Sequence, residues 1–183
     1  MPAPMPVLIA TLVAPGPFKT IDRVDENVFI GGYLAASDPG EVRRRGITRI
    51  VKMFGDDASY PGGYHRHPGV AYAVFPALDT PEYDIRGDAV EALRFIKRGV
   101  DANERVLVHC HAGISRSSTV VLLYLMVYRG LSLDEALRRL TRARPVVAPN
   151  KGFMRHLRAT DASLQRRRAA GRGLNCLDGG GHA

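Results

Sequence analysis

Tryptophan is absent from this 183-residue chain, and cysteine occurs only twice, as Cys110 and Cys176. Two distant cysteines, one of them near a Gly-rich tail, make no disulfide framework. A reducing cytoplasmic or nuclear location is therefore expected, and Cys110 becomes a candidate nucleophile. No stretch approaches the ~20 apolar residues of a membrane span. Residues 7–14 are too short, and no basic residue precedes them as a secretory signal requires. Metal ligands are equally sparse: His65 and His67 have no third ligand at supportive spacing, so they read as surface-loop histidines. No metal or cofactor is expected. Internal repeats are missing, as is any sign of a second domain. Acidic residues are outnumbered 18 to 26, leaving a net charge of +8. That excess fits a solvated surface or an anionic partner, whether phosphoprotein, nucleic acid or lipid headgroup.

What is present reads as one α/β domain over residues 20–168. Residues 1–19 form a proline-rich lead, flexible or an interface for a second copy, so the chain is a monomer or a homodimer. Residues 169–183 form a Gly-rich tail, read as disordered. Two short strands are predicted at 20–24 and 27–30 around an Asp25-Glu26 turn. Asp38, Pro39 and Glu41 mark a helix start with a capping box, and Gly46 marks its end. Strands follow at 47–54 and 70–76, the second read as buried. Apolar spacing from Ile85 to Val100 predicts a helix. The run at 105–109 reads as a central strand buried on both faces. The helix beginning near Arg116 is so apolar through Tyr128 that it must be buried. Ser132 and Glu135 form a second capping box, and a last helix runs from about Asn150 to Arg168. The β-α-β order gives a mainly parallel, twisted sheet of about five strands flanked by helices.

The chemistry concentrates between the 105–109 strand and the buried helix. Cys110 and Arg116 bracket His111, Ala112, Gly113, Ile114 and Ser115. A small-residue loop feeding a helix N-terminus turns backbone amides inward and makes an anion nest. Gly113 permits a backbone angle closed to other residues, and Arg116 can fork onto two phosphate oxygens. The same donors favour a thiolate at Cys110. In-line attack on a phosphate monoester would form a cysteinyl-phosphate. The leaving oxygen then needs a proton, and Asp79, just beyond the 70–76 strand, is the chosen acid, with Glu82 and Asp84 as alternatives. Ser117 can hydrogen-bond the sulfur and ease its departure. His109 either orients the loop or is a core histidine, and His111 faces the pocket rim.

His109-Cys-His-Ala-Gly-Ile-Ser-Arg-Ser117 resembles the signature of the dual-specificity branch of the cysteine-dependent protein tyrosine phosphatases. The resemblance extends through Tyr124-Leu-Met126, through Arg144-Pro…Pro149-Asn-Lys-Gly-Phe153, and to Asp79 with Asp84-Ile85 as the general-acid loop. It implies a metal-independent phosphatase acting on phosphotyrosine and phosphoserine/threonine in proteins. Without tryptophan, the Trp-Pro-Asp loop of the tyrosine-specific branch is missing, so a compact, atypical single-domain enzyme is the better match. Lysines inside the loop, frequent in phosphoinositide phosphatases of the superfamily, are lacking. An RNA 5′-triphosphatase is the alternative, suggested by Arg138, Arg139, Arg142, Arg144 and Arg166 to Arg168. A phosphoprotein-binding module without turnover is a second one.

Overall fold

The computed structural model describes residues 16–55 and 66–171. Of the 1–19 lead only residues 16–19 are described, with a 3-10 turn at Pro17–Lys19, and of the 169–183 tail only residues 169–171, the first of which ends the last helix; residues 1–15, His65 and the tail from 172 onward with Cys176 lie outside the described residues. Five strands form one sheet: β1 (Ile21–Arg23), β2 (Val28–Gly31), β3 (Arg49–Lys52), β4 (Ala71–Val74) and β5 (Val106–His109). Their order is β1-β2-β5-β3-β4. Only β1 and β2 pair antiparallel; β2-β5, β5-β3 and β3-β4 are parallel. The mainly parallel sheet expected from the order of elements is therefore present. β5 lies in the middle with every residue buried, as its unbroken apolar run requires. β4 differs from expectation: it is an edge strand, only partly buried, because nothing pairs with its outer side among the described residues.

Six α-helices accompany the sheet among the described residues: α1 (Tyr33–Ala36), α2 (Pro39–Arg44), α3 (Arg86–Asp101), α4 (Arg116–Tyr128), α5 (Leu133–Ala143) and α6 (Lys151–Ala169). The single-turn α1 has no sequence signal of its own. Asp38 caps α2 by accepting from the Gly40 and Glu41 amides. Glu41 does not complete the box; its carboxylate pairs with Arg44 and Arg45 instead. At α5 the full capping box of Ser132 and Glu135 forms. Gly46 has a φ of +63°, as a residue just past a helix end should.

The two faces of the sheet carry separate cores. Val28, Val51, Val106 and Val108 join α3, α4 and α6, while Ile21, Phe29, Ile50 and Leu107 pack on Ala35, Ala36 and Val42. α4 is buried from Arg116 to Val127. It touches α3, α5, α6, β2 and β5, so no face of it is left for solvent.

Asp25, read as a turn residue, is a buried junction. It accepts from the Tyr124 hydroxyl of α4, from Arg129 at that helix's C-cap and from Arg139 of α5. Burial works against its charge, but these donors outweigh it and hold the carboxyl below the usual range. The β1–β2 turn is thereby tied to α4 and α5.

Candidate active site

β5 delivers Cys110 to the carboxyl edge of the sheet between two parallel neighbours, where open α/β sheets bind ligands. From there residues 111–115 turn once and enter α4 at Arg116. Gly113 has a φ of +70°. A Cβ there would lie 2.5 Å from the Gly31 carbonyl oxygen, so the loop packs directly on the end of β2.

The loop's carbonyls are held from outside. His109 O accepts from Met53 N, and Cys110 O from His109 Nδ1 at 3.3 Å. His111 O accepts from Tyr33 N at 2.7 Å. Ala112 O and Gly113 O accept from Arg144 Nη2 and Nε at 2.9 and 2.8 Å. Ile114 O accepts from Ala148 N and the Ser118 hydroxyl, and Ser115 O from Thr119 N and Oγ1. The amides of residues 112–116 meet no backbone acceptor among the described residues. Unpaired N–H groups beside a helix N-terminus form the concave donor surface that a tetrahedral oxyanion fills.

Cys110 is 1% exposed, with Sγ 3.2 Å from Ser117 Oγ. Arg116 is also buried. Its Nη1 donates to Ala77 O at 3.1 Å, and its Nε lies 3.6 Å from Asp79 Oδ2 without a hydrogen-bond partner. Asp79 is thus brought to the loop, although β4 ends five residues before it. Its Oδ1 accepts from Ser115 Oγ at 2.6 Å and from Asn150 Nδ2 at 2.9 Å. The alternative carboxylates sit elsewhere: Asp84 takes two bonds from the Arg86 side chain, and Glu82 is exposed.

The histidines differ in kind. His109 is fully buried, and its two sequence readings both hold. It packs in the core edge-on to Phe54 and supports the loop by donating to Cys110 O. Burial pushes its pKa down to about 3, helped by nearby Lys52, so the ring is neutral and Nδ1 carries the proton. His111 packs edge-on to Phe54 with centroids 4.1 Å apart. His67 binds Ala36 O through Nε2 at 2.7 Å. Groups of three or more His, Cys, Asp or Glu suited to a metal ion are lacking among the described residues.

Sequence reasoning about the site missed Arg144 and Asn150. Arg144 is completely buried; besides the two loop carbonyls it binds Asp22 Oδ2 of β1 at 2.6 Å. Asn150 caps α6 through Phe153 N, donates to Asp79, and places its own amide 3.1 Å from Ser115 Oγ. Both lie in the Arg144-Pro…Pro149-Asn segment that carries part of the family resemblance, and that segment was the available signal. It does not say which distant loop either residue will meet.

Residues 28–162 match the family model described as dual specificity phosphatase, catalytic domain. Dual specificity protein phosphatase 13B of Mus musculus is 34% identical over 149 residues, covering 80% of this chain and 75% of the relative. Dual specificity protein phosphatase 26 of Homo sapiens is 35% identical over 150 residues, covering 79% and 68%. A mouse putative dual specificity phosphatase, solved in complex with zinc tungstate, superposes with a TM-score of 0.74 at 34% identity, covering 88% of this chain and 97% of its own. Human DUSP28 gives 0.72 at 33% identity, covering 82% and 97%. The phosphate-shaped loop, the sheet that carries it and these likenesses agree: the chain belongs to the dual-specificity protein phosphatases.

Proposed function

We propose that Cys110 is the nucleophile of this protein phosphatase and that the reaction runs in two displacements. The thiolate attacks phosphorus, so an S–P bond forms as the P–O bond to the substrate breaks. Asp79 gives its proton to the departing tyrosyl, seryl or threonyl oxygen. Water then attacks phosphorus and gives a proton back to Asp79. The S–P electron pair returns to sulfur, where Ser117 donates a hydrogen bond. Arg116 leaves Ala77 O to fork onto the transferred phosphoryl group, whose charge the 112–116 amides share.

One observation carries this reading: every loop carbonyl is tied by a donor, while the 112–116 amides meet no backbone acceptor among the described residues and Ser117 lies against the Cys110 sulfur. Hydrolysis of a small aryl phosphate under reducing conditions tests it. Cys110→Ser should abolish turnover and the phosphoenzyme; persistent turnover would remove Cys110 as nucleophile. Phosphoprotein is the substrate class. The RNA alternative loses support because Arg139 and Arg144 are spent on Asp25 and Asp22 and the loop, and Arg168 on Met126 O. No helix among the described residues is long and apolar enough to cross a membrane. A reducing site, cytoplasmic or nuclear, suits a mechanism that needs a free thiolate, and signalling is the role such an enzyme would serve there.

A further inference from the structure

We infer that Asn150 is a positioning residue for the general acid, and that with Ser115 it makes Oδ2 of Asp79 the atom that carries the transferred proton. This rests on the reading of Asp79 as the acid.

The hydrogen bonds leave one consistent assignment. Asn150 Oδ1 accepts from Phe153 N at 3.0 Å to cap α6. The other end of its amide must then be the NH2 group, and this lies 2.9 Å from Asp79 Oδ1. The Asn150 backbone N–H points to Ser115 Oγ at 3.1 Å, which makes Ser115 an acceptor there. Its own proton goes to the same Asp79 Oδ1 at 2.6 Å. Oδ1 therefore receives two donors, as many as its lone pairs accommodate. It is the carbonyl oxygen of the neutral acid, and the proton belongs on Oδ2. Oδ2 faces Arg116, 3.6 Å from Nε. That side holds the phosphoryl group once Arg116 has engaged it, so the proton is presented to the leaving oxygen. In the second step the same Oδ2, now bare, takes the proton of the attacking water.

The helix N-cap and the acid are thus joined through one amide. Asn150→Ser separates the two duties, since serine caps a helix as well but is too short to reach Asp79. Ser115→Ala removes the other donor and, although the Asn150 N–H loses its acceptor, leaves the side-chain cap from Asn150 Oδ1 to Phe153 N in place.

The readout is the ratio of kcat/KM for an aryl phosphate with a poor leaving group, such as phenyl phosphate, to one with a highly activated phenol. Loss of a hydrogen bond to an ionisable group should lower that ratio about tenfold in each single variant. The double variant should approach the ratio of Asp79→Asn. A purely structural role would slow both substrates alike. Equal slowing, or an unchanged ratio, in Asn150→Ser and Ser115→Ala alongside a lowered ratio in Asp79→Asn overturns the inference while leaving the acid in place. An unmoved ratio in Asp79→Asn removes the acid itself, and this inference with it.

Discussion

His109 is the residue whose chemistry reaches furthest beyond its size. It is neutral in the folded protein down to about pH 3, whereas an unfolded histidine takes up a proton near pH 6.5. Between these values the unfolded state binds more protons, so stability falls as pH falls. From pH 6.5 to 5 the loss from this one side chain is roughly 2 kcal/mol. Urea unfolding at both pH values should show that slope in the wild type, reduced in His109→Gln. Arg116 tests fork geometry. Arg116→Lys keeps the charge but not the planar pair of donors, and kcat/KM should drop about a hundredfold or more; a near-normal rate would contradict the arrangement. Gly113→Ala meets both a φ of +70° and the Gly31 carbonyl. Backbone strain alone should cost about 1–3 kcal/mol, read as a lowered unfolding midpoint with loss of phosphate affinity. Cys110, Arg116 and Ser117 were legible in the sequence because one strand, one turn and one helix fix all three. Asn150 and Arg144 were not, since each acts on a loop more than thirty residues away.

At the scale of elements, the start of α6 braces the acid loop. Asn150 reaches Asp79, Arg155 Nη2 reaches Pro81 O, and a Cβ at Gly152 would sit 2.0 Å from that same oxygen. The obstacle is backbone, so it cannot rotate aside. Gly152→Ala should push the acid loop off α6, slowing substrates with poor leaving groups more than activated ones. Unchanged rates for both would mean that the loop tolerates the shift. Helices with strong periodicity or caps, such as α3 and α5, were readable from spacing alone. α1 was not, because one turn between Gly32 and Ser37 carries neither a cap nor a repeat; it is held by packing and by Tyr33 N on His111 O. The exposure of β4 was also hidden, because a strand's place in the sheet depends on what pairs beyond it.

For the molecule as a whole, a net charge of +8 should draw in dianionic substrates. The value of kcat/KM for a phosphopeptide should fall as ionic strength rises while kcat moves little; stopped assays across a salt series would show it, and a flat response would confine the attraction to the loop. Long-range ties such as Asp25 to α4 and α5, and Asp22 to Arg144, lock opposite ends of the chain together. The sequence displays these charges without saying which will meet. The Arg144 tie has a consequence for anyone who would borrow this chemistry. Two carbonyls of the phosphate loop are turned outward by a guanidinium from another helix end, itself steadied from the sheet's first strand. The nine-residue motif is therefore not a portable cassette. Spliced alone into a different strand-to-helix junction, it would arrive without the hand that shapes it, and a working transplant must bring an equivalent of Arg144 and its carboxylate anchor along.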